Sequence, residues 1–420
     1  MTTTTTTTRA PTIAIVGAGP AGMLLAFLLA RQDIAVHVIE RHADFHREFR
    51  GEGIQPSVVD LLQSLGLLDE LFARKIAIRA ARAEIFLDNR PALTLGDDGS
   101  ARGEDFGIIL HQPTFLAFIH EQLSALPHYQ LSLGTTARDL AKTDGRVTGV
   151  RVTHRDKTEE LIPADLVVVA SGRGTALRAC VNLTAVKLDS WFNVLWMLVA
   201  LPEDPSLVPQ GFRAYLDGDS LFIVYRTAHD MLQIAWARRD ERGLRDKTHS
   251  ARKEHLLRDA PQAYRAHFSN EFTEQTKTQF LRVESDRLAQ WHAPGVLFIG
   301  DAAHTMSPVA GQGINLAIRD AVVAANHVVQ AHHSQMPLSD ELCARIQAER
   351  LPEVRAMQTL QSRLGFFMLG AKRWQTRAFF RGALPVLNAL GIRRMLVRRV
   401  QHGVTQVRVQ HDPPRELPAL

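Results

Sequence analysis

The sequence predicts an α/β fold: a discontinuous Rossmann-like nucleotide-binding domain, an inserted mixed or antiparallel β-sheet domain, and a helical C-terminal region. Three observations carry this. The β-branched run Thr12–Val16 passes through Gly17-Ala18-Gly19-Pro20-Ala21-Gly22 into an apolar helical pattern from Met23 to Ala30, and Ala35–Ile39 follows as a second strand. The run Asp165 to Ala170 (DLVVVA), apolar after its first residue, reads as a strand buried on both faces, as in parallel sheets. Between nucleotide-domain pieces, Trp191 to Arg238 breaks into short strands at Asp217-Gly218-Asp219 and His229-Asp230.

Taken in order, residues 1–10 hold a threonine run and read as a disordered leader. The apolar stretch after it mimics a signal peptide, but Gly17, Gly19, Pro20 and Gly22 break it near its middle. Val58 to Leu71 reads as one helix, Arg82 to Leu95 as a hairpin around Asp88-Asn89, and Phe115 to Leu126 as a helix. Gly295 to Ile299 is a returning strand, and residues 314–330 and 339–410 have helical patterns. The nucleotide-binding domain is therefore expected from 11–77, 101–182 and 286–345. The inserted domain takes 78–100 and 183–285, and a basic helical region takes 346–420.

Composition narrows the function. A chain of 420 residues that is 45% hydrophobic can bury substantial cores. Two cysteines, Cys180 and Cys343, cannot build a CxxC metal site, an iron–sulfur cluster or a disulfide framework, so no metal is expected and a reducing cytoplasm fits best. No other apolar run is long enough to span a bilayer.

The glycine motif gives a tight turn, room for a backbone to approach a pyrophosphate, and a helix N-terminus that favours the phosphates. Glu40, with Arg41 beside it, ends the second strand 18 residues beyond Gly22, where a carboxylate accepts from a ribose hydroxyl. These features alone leave FAD and NAD unresolved.

A second motif goes further. Val296 to His304 (VLFIGDAAH), Pro308 and Gly311-Gln312-Gly313-Ile314-Asn315 resemble the GDAAH…P…GQGxN signature of flavoprotein hydroxylases of the para-hydroxybenzoate hydroxylase type. The resemblance implies FAD as cofactor, with Gly300 and Asp301 at the ribityl chain and a helix N-terminus near Ile314 stabilising negative charge on the ring. It also implies Arg50 at the pyrophosphate and Gln112 at the ribityl chain. A third motif is altered: where the family has Asp-Gly, this chain has Ser171-Gly172, with Arg178 retained, which leaves the choice of NADH, NADPH or another reductant open. In the family, the reduced flavin takes up O₂ as a C4a-hydroperoxide and transfers one oxygen atom to a substrate beside the ring.

The expected activity is therefore an FAD-dependent monooxygenase acting on a small, lipophilic aromatic or prenylated substrate. A flavin-dependent prenyl reductase and a non-enzymatic prenyl-binding escort are the alternatives. Chemistry falls mainly to the flavin, with Pro308 near the ring and Tyr225, Arg226, Trp196 and Trp236 as pocket candidates. Tyr225 and Arg226 are neighbours, so on a regular strand only one faces the cavity.

The overall charge of +5 hides an asymmetry. Residues 354–411 hold eleven Arg and Lys and no Asp or Glu, leaving the remainder at −6. Leucines, phenylalanines and methionines lie among these arginines at helical spacing. Three readings stay open: contact with the inner face of a membrane, packing on the core with solvated arginines outside, or a homodimer contact. The segment lacks interleaved Tyr or Trp beyond Trp374, so no nucleic acid is expected.

Overall fold

A computed structural model of the chain describes residues 11–46, 52–96, 106–190, 192–246, 248–370, 372–383 and 392–411. The leader, Arg50 and Trp191 lie outside the described residues.

A six-stranded sheet runs in the order His292–Ala293, Val296–Phe298, Leu166–Val169, Thr12–Val16, Ala35–Ile39 and Tyr129–Ser132, parallel except at the His292 edge. Thr12–Val16 lies at its interior, and Ile15 pairs with Val168 on one side and Val38 on the other. Both faces are covered, which is why these strands read as apolar runs without alternation. Helices Pro20–Ala30, Gln112–Ser124 and Gln312–His333 contribute to one core with a three-stranded antiparallel sheet formed by Thr136–Thr143, Arg146–Thr153 and Glu159–Pro163. Pro20–Ala30 is buried over all but its first residue, as a helix apolar all round must be.

The inserted domain is a seven-stranded sheet in the order Thr278–Leu281, Asn193–Ala200, Met231–Arg238, Ser220–Arg226, Gly211–Asp217, Arg82–Leu87 and Arg90–Gly96. Only the pairing of Gly211–Asp217 with Arg82–Leu87 is parallel. The Arg82 hairpin turns at Asp88 and Asn89, φ 51° and 59°, the two left-handed residues of a type I′ turn. Side chains alternate across this sheet. Leu195, Met197, Phe222 and Trp236 pack under helices His249–Asp259 and Arg265–Glu271. Trp196, Leu221, Tyr225 and Ala235 face the opposite way, into a core shared with Val309 and Leu369.

Three sequence expectations change. Val58 to Leu71 is two helices, Pro56–Ser64 and Leu68–Ala73, because Gly66 takes φ 72° and turns the chain between them. A domain boundary at 345/346 falls inside the continuous helix Asp340–Gly365, so the backbone has no break there. Beyond it, π-helical turns Phe366–Gly370 and Phe379–Ala383 precede helix Ile392–His402. Helix ends at His402 rather than 410: Gly403 takes φ 74°, and the following residues alternate with period two, putting Val407 and Val409 against the main core.

Candidate functional site

The glycine motif folds under steric compulsion. A Cβ on Gly22 would lie 1.9 Å from the Gly17 carbonyl oxygen, and one on Gly17, where φ is 107°, would lie 2.6 Å from the Ala170 oxygen. Gly19 differs: a Cβ there meets nothing within 4 Å. Gly17 and Gly22 close the strand–helix packing, and Gly19 borders open space at the N-terminus of helix Pro20–Ala30, where the helix end favours an anion. Glu40, buried at the strand end, accepts the Ala18 N–H at 2.8 Å and the His42 N–H at 2.8 Å, which fixes its carboxylate beside the loop. Arg41 is exposed, with its Nε 3.2 Å from His42 Nε2.

The second motif is assembled around a buried charge network that the sequence did not reveal. Gly300 takes φ 57°, and its N–H donates to Asp320 Oδ2 at 2.9 Å. The same oxygen pairs with His304 Nε2 at 2.6 Å, and Arg350 Nε donates to Asp320 Oδ1 at 2.7 Å. Arg350 and Arg319 both pair with Glu353. Burial acts to raise the Asp320 carboxyl, but His304 and Arg350 outweigh it and hold it down at about 2. The motif histidine is thus an anchor for the loop. Its acidic partner sits 16 residues away and Arg350 46 away, with no local signal to link them.

This anchoring presents Asp301. Its Oδ2 lies 3.3 Å from Arg173 Nε, and its Oδ1 lies 3.9 Å from where a Cβ on Gly313 would stand. Ala310 and Gly311 are both left-handed, φ 57° and 59°, and turn the chain sharply into helix Gln312–His333. The main-chain N–H groups of Gln312, Gly313 and Ile314 form the first turn of that helix. Two motif side chains are occupied by the protein itself. Asn315 Oδ1 accepts the Gln55 N–H, and its Nδ2 donates to the Gly53 and Gly311 carbonyls. Gln312 Nε2 donates to the Ala310 and Val400 carbonyls. Their side chains position the loop.

Pro308 sits between carbonyls clamped by one residue: Gln361 Nε2 donates to Ser307 at 2.8 Å and Val309 at 2.7 Å. Gln112 opens helix Gln112–Ser124, and its N–H faces the Glu52 carboxyl. At the altered motif, Ser171 Oγ donates to Thr175 Oγ1, and Arg178 pairs with Asp286 and donates to the Ala302 carbonyl.

Of the pocket candidates, Tyr225 and Trp196 lie on the sheet face turned toward the Pro308 loop. Arg226 does not: it is exposed and paired through Nε and Nη2 with Asp230 four residues on, as strand alternation requires once Tyr225 faces inward. Trp236 is on the opposite face, under the helices.

The open cradle at Gly19, the fixed acid at Glu40 and the Asp301–Gly313 loop suit a long dinucleotide. The family model described as FAD binding domain matches residues 10–360. The chain belongs to this FAD-binding family. It is 28% identical over 408 residues to 6-methylpretetramide 4-monooxygenase of Streptomyces rimosus, covering 95% of this chain and 94% of that one. It is 26% identical over 370 residues to a probable NADH-specific resorcinol 4-hydroxylase of Rhodococcus jostii, covering 85% of this chain and 65% of that longer protein. In fold it superposes on p-nitrophenol 4-monooxygenase from Pseudomonas putida with a TM-score of 0.78 at 17% identity, covering 96% of this chain and 99% of the other. The resemblance to flavoprotein hydroxylases is borne out: this member of the FAD-binding family is an FAD-dependent monooxygenase.

Proposed function

We propose that this flavoprotein hydroxylates a lipophilic aromatic substrate held between the flavin ring and the seven-stranded sheet, with NADH or NADPH as reductant. One observation supports this most: the sheet face carrying Trp196 and Tyr225 shares a core with Val309 and Ala310, within the loop that carries Pro308 and Gly311. Bound FAD supplies the redox and oxygen-activating chemistry. Gly17, Gly19, Pro20, Ala21 and Gly22 present the helix N-terminus to the pyrophosphate; Glu40 accepts from the ribose, with Arg41 at the adenosine end. Asp301 and Gln112 hold the ribityl chain, and Gly300, Gly311 and Gly313 let the main chain approach it. The N–H groups of the first turn, Gln312 to Ile314, stabilise negative charge on the ring. Pro308 and the sheet exclude water.

The S. rimosus relative is a 6-methylpretetramide 4-monooxygenase and the R. jostii relative a probable resorcinol 4-hydroxylase, which supports an aromatic substrate. The basic C-terminal segment is read as a packing element. Leu364, Met368, Leu369 and Phe380 join the sheet core, while Arg377 and Arg381 pair with Asp88 on the hairpin. Among the described residues no helix is long and apolar enough to cross a membrane.

The test is purification with FAD, read by visible absorbance, followed by NADH and NADPH oxidation with phenols, quinolones and prenylated aromatics, aerobically and anaerobically. The expected result is substrate-stimulated flavin reduction and a product carrying one oxygen atom from ¹⁸O₂. A protein that binds no FAD, or turnover that needs no O₂, overturns the reading.

A further inference from the structure

The sheet face turned toward the Pro308 loop is organised in cross-strand rows. One row is Trp196, Ala235, Ile223, Ala214 and Ile85, apolar throughout. The adjacent row is Leu198, Gln233, Tyr225, Phe212 and Ala83, and it breaks the pattern with two polar groups that pair directly across strands. Directly opposite residues place their Cβ atoms about 5 Å apart, so Gln233 and Tyr225 leave the sheet from neighbouring points on the same face. Both are sealed, Tyr225 at 1% exposure and Gln233 at 2%. Gln233 Nε2 has no hydrogen-bond partner, and the Tyr225 hydroxyl, whose oxygen faces the Glu52 main-chain N–H, has no acceptor for its own proton.

A third unpartnered group reaches the same place from the nucleotide domain. Glu52 precedes the short strand Gly53–Ile54, lies beside Tyr225 and is 8% exposed, and its Oε2 has no partner. Phe212, in van der Waals contact range of Gly53 and 5.1 Å from the Tyr225 ring, joins the two domains here. Burial pushes the Glu52 carboxyl up to about 8 in spite of the Gln112 N–H, so near pH 7 it is neutral and can donate. A buried polar group without a partner costs folding free energy, and such groups in native proteins mark a role beyond packing. Three hydrogen-bond donors thus come from neighbouring positions: the Gln233 amide from the strand position opposite Tyr225, the Tyr225 phenol, and the Glu52 carboxyl beside that phenol, next to Gly53, whose carbonyl is tied through Asn315 to the Gly311 loop.

We propose that Glu52, Tyr225 and Gln233 form a hydrogen-bonding subsite for an acceptor oxygen, a carbonyl or phenolate, on the ring edge of the substrate. This rests on the proposed function and adds the feature by which substrates are chosen. An oxygen-bearing ring satisfies the donors, whereas a hydrocarbon or prenyl chain leaves them unpartnered, and discrimination by stranded polar groups is strong.

The experiment titrates the FAD-loaded enzyme, without reductant, with 1-tetralone and with tetralin, which share a ring frame and differ at one carbonyl. Binding is read by perturbation of flavin absorbance and by calorimetry. The wild type is expected to bind tetralone at least about tenfold more tightly. Tyr225→Phe and Gln233→Leu should each lower tetralone affinity about five- to tenfold while leaving tetralin affinity unchanged. Glu52→Gln, which still donates, should retain most of the preference, and Glu52→Leu should lose it. Equal binding of the two probes, binding of neither, or equal loss for both in the variants overturns the proposal. FAD content and NAD(P)H-driven O₂ consumption of the same preparations report separately on the monooxygenase reading, and circular dichroism identifies a variant that has unfolded.

Discussion

Neighbouring residues in one motif carry different burdens, and substitution separates them. A methyl group on Gly22 meets the Gly17 carbonyl at 1.9 Å, so Gly22→Ala must distort the first turn and should give little folded protein. Gly19→Val has free space within the protein, so it should fold with a wild-type urea midpoint yet bind FAD at least about tenfold more weakly by fluorescence titration, because the side chain fills the phosphate cradle. Retention of full FAD affinity in Gly19→Val would move the pyrophosphate elsewhere. Asp320 yields a second prediction. Held at about 2 against an ordinary 3.8, its carboxylate stabilises the fold fully above pH 4 or so, and that contribution, about 2 kcal/mol, is lost as pH falls through about 2. Asp320→Asn leaves Arg350 and His304 short of a buried acceptor and should cost about 3–5 kcal/mol. Urea midpoints measured between about pH 5 and 2 should fall less steeply in the variant than in the wild type.

Among elements, the long helix Asp340–Gly365 has a role that no motif announces. Its inner face grips the Pro308 loop through Gln361, whose amide bonds the carbonyls on either side of Pro308. Gln361→Leu keeps the volume and loses both bonds. The holoenzyme should then show a shifted flavin absorption spectrum and several-fold weaker FAD binding, with the urea midpoint falling by no more than the equivalent of about 2–3 kcal/mol. An unchanged spectrum would mean that the loop holds its position without the helix. This contrast explains what was legible. Thr12–Val16, Ala35–Ile39, the Asp88-Asn89 hairpin and the GDAAH strand were readable because period, turn chemistry and motif are local. Tyr225 was identified but Arg226 was not separated from it, because a strand's phase is set by its sheet partners. The Gly66 break lost to a strong apolar period, and the extended tail after Gly403 lost to the helical run before it. Glu52, Gln233, Asp320 and Gln361 were missed because each acquires its meaning from a residue far along the chain.

At the scale of the whole molecule, the charge asymmetry takes on a structural sense: basic C-terminal segments are laid back on an acidic body at defined contacts. Beyond Gly403 the chain runs along helix Gln312–His333. Arg319 donates to the Thr405 carbonyl, Glu353 accepts the Val404 N–H, and Asn326 holds the Arg408 carbonyl and the Gln410 N–H. Arg319 and Glu353 belong to the buried network that anchors Gly300 and His304, so the tail completes a circuit ending at the Gly300–His304 loop. A chain ending at Gly403 therefore loses partners for two buried ions, Arg319 and Glu353. Its expected signature is a drop in unfolding free energy of about 2–4 kcal/mol, as hydrogen bonds to charged groups are lost. FAD release should be faster, and added FAD should restore part of the stability by mass action. Cosedimentation with anionic vesicles at physiological salt distinguishes this account from a membrane role: the full chain should stay in the supernatant, because Leu364, Met368, Leu369 and Phe380 pack on the sheet and Val407 and Val409 on the main core. Salt-sensitive pelleting of the full chain, abolished by Trp374→Ala at the exposed Trp374, would instead show that the C-terminal region has a second surface to offer.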